Sequence, residues 1–188
     1  MRIFAAIKID NELINEISNL LKAIEKYKDK IKTVSSRNLH LTIRFLGEVS
    51  DELYPVFSNK LAEAYSFFYP FVINLRGVGF FPDKNRPRVI WVGVEENPIL
   101  KKIYFVAEKA ARDIGLEPEN KFQGHITAGR VKSVISTDAV KNIEENFGNR
   151  FWGMMTVKEI TIFKSILRPE GPEYKELVNI PIGGKQNG

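Results

Sequence analysis

Apolar positions along the chain repeat with two different periods. Arg2 to Ile9 is a near-continuous apolar run and predicts a buried strand. Behind Asp10, residues Leu13, Ile14, Ile17, Leu20, Leu21 and Ile24 recur at helical spacing, so Asp10 is expected to cap a helix running to about Tyr27. A polar stretch, Lys28 to Asn38, follows. Leu39 to Leu46 then alternates, with β-branched and apolar residues at every second position, and Gly47 ends it. Ser50 or Asp51 starts a second helix with Leu53, Phe57, Leu61, Ala64 and Phe68 inward. Phe71 to Phe81 and Arg88 to Val94 flank the turn-rich Pro82 to Pro87, which is a hairpin signal. A third helix is predicted from Pro98 to Ile114, a strand from Gln123 to Val131 and a short helix from Asp138 to Phe147. Thr156 to Leu167 and Glu173 to Ile182 read as a last hairpin across Arg168 to Pro172.

Strands in hairpins alternate with helices in this order, so the fold class is α+β with antiparallel or mixed sheets. No linker divides the chain. The segment HLTIRFLG, from His40, has a counterpart in HITAGRV, from His125, and each is read as a strand with helices before and after it. This hint of duplication predicts two pseudo-symmetric lobes, each a sheet with helices on its outer face, and a cleft between them. One two-lobed domain is expected over residues 1–182, and residues 183–188 are expected to form a disordered tail.

The composition narrows the chemistry. With 188 residues the chain can bury a full core without staples. It has no Cys, which excludes disulfides, thiolate metal sites and cysteine nucleophiles, and its two His cannot build a three-His zinc site. A net charge of +5 permits an anionic partner without demanding one. No apolar run reaches transmembrane length, and the apolar start is too short for a signal peptide. A cytoplasmic, monomeric protein without metal or cofactor is the expectation.

Both histidines sit in the same local pattern, His-x-Thr. The chain has six Thr among 188 residues, so chance would place Thr two positions after both His about once in a thousand times. Strand alternation puts His40 and Thr42 on one face, with Leu41 on the other, and likewise His125 and Thr127 against Ile126. Arg44 shares the parity of His40. Arg130 does not share that of His125 unless Gly129 bulges the strand. Two imidazoles can divide general acid and base work near neutral pH. Two hydroxyls can donate to phosphate oxygens, and an Arg supplies a planar cationic clamp. One such motif alone is usually a structural pair. Two copies holding every His point to displacement at phosphorus.

The sequence resembles the two-histidine phosphoesterases, and within them the RNA 2′,3′-cyclic phosphodiesterases, also called 2′-5′ RNA ligases. The matching pieces are MRIFAAI, NLHLTIRFLGEV (38–49), PRVIWVGV (87–94), HITAGR (125–130) and ITIFKSILRPEGPEYKEL (160–177), in family order. Where the family reads PHITLAR, this chain has Gly124 before the second His and Ala128-Gly129 after its Thr. The resemblance implies metal-independent hydrolysis of RNA 2′,3′-cyclic phosphate ends to 2′-phosphomonoesters. The same displacement with a 5′-hydroxyl as nucleophile instead of water, itself reversible, is 2′-5′ ligation. It implies His125 as proton acceptor, His40 as proton donor, and Thr42, Thr127 and Arg130 as phosphate-binding residues. The implied partner is RNA with a cyclic phosphate end, tRNA-derived ends included.

Other features read mostly as structural. Arg76, Lys84, Arg86 and Arg88 cluster near a hairpin, where they would contact RNA or protect a solvated turn. Phe4, Phe80, Phe81, Tyr104 and Trp152 are candidates to stack on a base, against a background of 13 Phe, most of which belong to the core. Lys22, Lys26, Lys28, Lys30 and Lys32 read as a solvated face. No G-x-S-x-G elbow supports a serine hydrolase. The rival readings are a non-catalytic RNA-end-binding module, a phosphodiesterase for another small cyclic or 2′-5′ linked nucleotide, and a structural adaptor.

Overall fold

A computed structural model describes residues 1–119, 121–169 and 171–183; most of the tail expected to be disordered lies outside them. The elements are β1 (Arg2–Lys8), α1 (Asn11–Glu25), β2 (Ile31–Thr33), a 3-10 turn (Ser36–Asn38), β3 (His40–Glu48), α2 (Leu53–Tyr65), β4 (Phe71–Phe81), β5 (Val89–Val94), α3 (Pro98–Asp113), β6 (His125–Val131), α4 (Thr137–Phe147), β7 (Phe151–Val157), β8 (Glu159–Arg168) and β9 (Gly171–Pro181). The class is α+β, as the element order predicts. Among the described residues no helix is long and apolar enough to cross a membrane.

Local chemistry sets the helix starts unevenly. Asn97 caps α3, its side-chain oxygen accepting from the backbone N–H of Ile99 (2.9 Å) and Leu100 (3.0 Å), with Pro98 in the first turn. Ser136 caps α4 through the N–H of Ala139 at 3.2 Å. Asp10 occupies the cap position of α1 in extended conformation but makes no side-chain cap bond. Burial of Leu13, Ile17, Leu20, Leu21 and Ile24 carries that helix instead.

The strands run β7-β4-β5-β6-β3-β1-β8-β9, with β2 on β6, and every pairing is antiparallel. The order divides at β3–β6, where only Leu41 and Ile126 are paired. On one side lies β9-β8-β1-β3 and on the other β7-β4-β5-β6, which are the two related half-sheets. The helices are exchanged between them. Helix α1 follows β1 of the first half but packs on β7 and β6 of the second. Helix α3 follows β5 of the second but packs on β3 and α2 of the first. One continuous apolar core, from Ile3 to Ile182, runs under both halves. Each large side chain buried there contributes about 1.5–3 kcal/mol. Tyr65 ties α2 to α3 by donating its hydroxyl to the carbonyl of Ile103 at 2.9 Å.

Two strands, β2 and β7, are missing from the sequence reading. The stretch Lys28 to Asn38 holds β2 and a 3-10 turn. The sequence reading places no strand over residues 151–155; the run from Thr156 takes in only the last two residues of β7, which ends at Val157, before β8 begins at Glu159. Lys158 is where the chain passes from one half-sheet to the other, and no Gly or Pro marks that crossing.

Candidate active site

His40 and His125 open the two central strands, β3 and β6. Leu41 and Ile126 oppose each other across that antiparallel pair and are fully buried. Their neighbours His40, Thr42, His125 and Thr127 therefore face the other way, and all four line one cleft. The histidines are anchored alike. His40 Nδ1 lies 2.7 Å from the carbonyl oxygen of Asn38, and His125 Nδ1 lies 2.8 Å from that of Gln123. A carbonyl only accepts, so each Nδ1 carries the hydrogen. Nε2 is then the nitrogen available in both rings, a lone pair when neutral and a proton when charged.

Two β-bulges decide which Arg reaches the cleft. On β3 the register passes from Thr42 (opposite Ala6) to Arg44 (opposite Ala5), leaving Ile43 as the extra residue. On β6 it passes from Thr127 (opposite Trp91) to Gly129 (opposite Ile90), leaving Ala128 extra. Beyond each bulge the faces invert. Arg130 is thereby brought onto the face of His125 and lines the cleft. Gly129 at that bulge suits its crowding, since a Cβ there would lie 3.0 Å from Ile31.

The same inversion corrects the parity expected of Arg44, which turns into the interior and is 4% exposed. Phe45 takes the cleft position instead. Arg44 Nε lies 2.7 Å from Glu108 Oε2, an ion contact rather than an aligned hydrogen bond. Its Nη1 is 2.7 Å from Glu119 Oε1 and donates to the Phe45 carbonyl at 2.7 Å, and its Nη2 donates to the Glu117 carbonyl at 2.6 Å. Strand β3 is thus pinned to α3 and to the segment entering β6.

Aromatic rings hold both imidazoles. Phe4 stands 4.9 Å and Tyr174 5.2 Å from His40, centroid to centroid. Phe81 meets His125 edge-on at 5.0 Å, and Trp91 lies 6.2 Å from it. Trp91 fits there because Gly79 has no side chain: a Cβ on Gly79 would come within 2.1 Å of the indole. Of the candidate stacking residues, Phe4 and Phe81 adjoin the histidines, and Phe4 also lines the cleft. Phe80, Tyr104 and Trp152 are core, at 9%, 3% and 2% exposure. Trp152 donates to the Gly77 carbonyl and Tyr104 to the Glu119 carbonyl, which satisfies their polar ends. Trp91 and Tyr174 escape sequence reasoning because only the pairing of β5 with β6 and the turn of β8 into β9 bring them to the site.

The cleft encloses about 1510 Å³. Its lining carries Arg2, Lys32, Arg37, Lys121, Arg130 and Arg168 against Glu119 and Glu173. Lys32, read from sequence as part of a solvated face, belongs to the cleft because β2 pairs with β6 and sets it opposite Arg130. The hairpin cluster Arg76, Lys84, Arg86 and Arg88 contributes nothing to the lining. Arg76 pairs with Glu95 and Lys84 with Glu144. Burial pushes the pKa of His40 below the ordinary imidazole range, and the charges of His125 and Arg130 add to this against the pull of the Asn38 carbonyl. Burial likewise lowers His125, with Arg130 adding and the Gln123 carbonyl opposing. A proton on one ring therefore disfavours a proton on the other, which suits a singly protonated pair.

Residues 7–91 match the family described as LigT-like phosphoesterase. A protein of Archaeoglobus fulgidus named RNA 2′,3′-cyclic phosphodiesterase is 34% identical over 94% of this chain and 98% of its own. A protein of the same name from Methanocaldococcus jannaschii is 35% identical over 93% and 97%. One from Thermotoga maritima is 33% identical over 98% and 97%. In fold, the crystal structure of TT0787 of Thermus thermophilus superposes with a TM-score of 0.85 at 23% identity, covering 98% of this chain and 100% of that one. The apo structure of Escherichia coli LigT gives 0.77 at 24%, covering 97% of each chain. With these relatives matched over 93–98% of this chain and the two-histidine cleft at the junction of its half-sheets, the chain belongs to the LigT-like phosphoesterase family.

Proposed function

We propose that this protein hydrolyses RNA 2′,3′-cyclic phosphate ends to 2′-phosphomonoesters, without a metal, by acid–base catalysis between His40 and His125. The observation that carries the reading is the matched anchoring of the two rings, Nδ1 on a backbone carbonyl in each and Nε2 left available. The shared name of the relatives supports the substrate.

In this reading the cyclic phosphate lies between the rings, its two non-bridging oxygens accepting from the hydroxyls of Thr42 and Thr127. Arg130 balances the charge that builds on the phosphorane-like transition state. Neutral His125 Nε2 takes a proton from water as the water oxygen bonds to phosphorus. The P–O3′ bond breaks in line, and His40 Nε2–H gives its proton to the departing 3′-oxygen. Solvent returns the pair to its starting protonation. The same steps with a 5′-hydroxyl in the place of water form an O5′–P bond as P–O3′ breaks, joining two RNA ends through a 2′-5′ bond.

Phosphorus-31 NMR of the product tests the regiochemistry. A 2′-phosphomonoester alone is the expected product. A 3′-phosphomonoester would mean that the other bridging bond is broken and would overturn this placement of the acid.

A further inference from the structure

The cleft is larger than one nucleotide end requires, and its charge is not confined to the reacting centre. Ligand pockets commonly enclose about 300–1,000 Å³, against about 1510 Å³ here. Among the described residues, six basic and two acidic side chains line the cleft, a balance of +4. Both acids already engage arginines, Glu119 with Arg44 and Glu173 with Arg168. Positive charge is thus focused on one concave surface, where it acts most strongly on a polyanion.

Part of this charge forms a line away from the histidines. Lys32 stands opposite Arg130 across the β2–β6 pair. From there it reaches the far half-sheet, since its Nζ lies 3.5 Å from where a Cβ on Gly171 would be. Gly171 is paired with Arg168 at the tip of the β8–β9 hairpin. That tip is held at the cleft by Asn38, whose side-chain amide donates to the Pro172 carbonyl at 3.0 Å. Arg168 itself contacts Glu173 at 3.0 Å, but both side chains are more than half exposed, so the pair costs little to exchange for a phosphate.

We propose that the cleft is built for RNA as a polymer, and that the backbone phosphates on the 5′ side of the cyclic end run from Arg130 along Lys32 to Arg168. This rests on the reading of the site as one for cyclic RNA ends. These contacts touch phosphates and not bases, so they set affinity and register without reading sequence. Lys32 and Arg168 are binding residues for the upstream strand and take no part in the chemistry.

The test compares a nucleoside 2′,3′-cyclic phosphate with a ten-nucleotide RNA bearing the same end, from 50 to 300 mM KCl, in wild type and the double variant Lys32→Gln/Arg168→Gln. The decamer should be preferred about tenfold or more in kcat/KM at low salt, and the preference should fade as salt rises. The double variant should lower kcat/KM for the decamer about tenfold and for the nucleoside less than about twofold. It should also flatten the log–log salt slope for the decamer by about 1.4, which is two contacts at about 0.7 each for a single strand. Equal salt slopes for the two substrates, or an equal loss on both in the variant, would overturn the proposal. If neither substrate is turned over, the reaction is misread, and fluorescence anisotropy of the decamer then decides the track alone. Salt-steep binding weakened by the double variant sustains it, and binding indifferent to the variant removes it.

Discussion

Arg44 Nη1 lies 2.7 Å from Glu119 Oε1, joining the strand that carries His40 to the segment that leads into His125. The same guanidinium reaches Glu108 on α3 and the Glu117 carbonyl. A planar fork with five donors can serve all of these partners, and an ammonium cannot. Arg44→Met should therefore cost about 3–5 kcal/mol by leaving the Glu108 carboxylate buried and unpaired. Arg44→Lys should recover only part of it. Glu119→Gln, on a side chain 42% exposed, should cost less than about 1 kcal/mol. Denaturant unfolding of the three variants checks the order.

The hydroxyls proposed to bind phosphate should matter to rate and not to fold. Thr42 and Thr127 are half-buried and line the cleft, and neither hydroxyl makes a hydrogen bond among the described residues. Thr42→Val and Thr127→Val should each lower kcat about 100-fold, the scale of losing one donor to a developing anion. Melting temperatures should hold within a few degrees. A large loss of stability with little loss of rate would return these residues to a structural role.

The pH dependence follows from the direction of both histidine shifts. The proposed mechanism needs one neutral and one charged ring, so the profile of kcat/KM should be bell-shaped. Both values lie below the ordinary imidazole value of about 6.5, so the maximum for free enzyme should fall on the acid side of that pH. A bound phosphodiester anion favours the charged ring and should move the kcat maximum upward. Stability has its own sign. The unfolded chain binds these protons more readily than the folded one, so their contribution is intact above about pH 6.5 and is lost as pH falls through the folded values. A rate rising steadily from pH 5 to 9 would contradict the shared roles.

Gly79 is predicted to be a point of sensitivity remote from the reacting groups. A Cβ there would meet the Trp91 indole at 2.1 Å, and Trp91 backs His125. Gly79→Ala should cost about 1–3 kcal/mol by overpacking and should lower kcat as the imidazole loses its wall. Thermal melts and kinetics on the same preparation separate the two effects.

The parts of this molecule legible in the sequence are those set by period and by residue type. Alternation alone puts His40 with Thr42 and His125 with Thr127, and the four reach one cleft. The same alternation misplaces Arg44, because a bulge at Ile43 turns it inward, and it needs the bulge at Ala128 to bring Arg130 out. Gly129 gives a local sign of the second bulge. Nothing in HLTIRFLG marks the first. Lys32 looks like one of several surface lysines until β2 is laid beside β6, and the exchange of α1 and α3 between half-sheets is a matter of packing at a distance. Such long-range placements are what a one-dimensional pattern leaves out.

The most direct test of the central claim is hydrolysis of a short RNA ending in a 2′,3′-cyclic phosphate, in EDTA, by wild type, His40→Ala and His125→Ala. Loss of either acid–base partner is expected to cost about 10²–10⁴ in rate. Turnover by wild type to a 2′-phosphate, with both variants reduced to that extent, is the predicted result. A variant that keeps wild-type turnover, or wild-type activity that EDTA abolishes and a divalent metal restores, would contradict the two-histidine account.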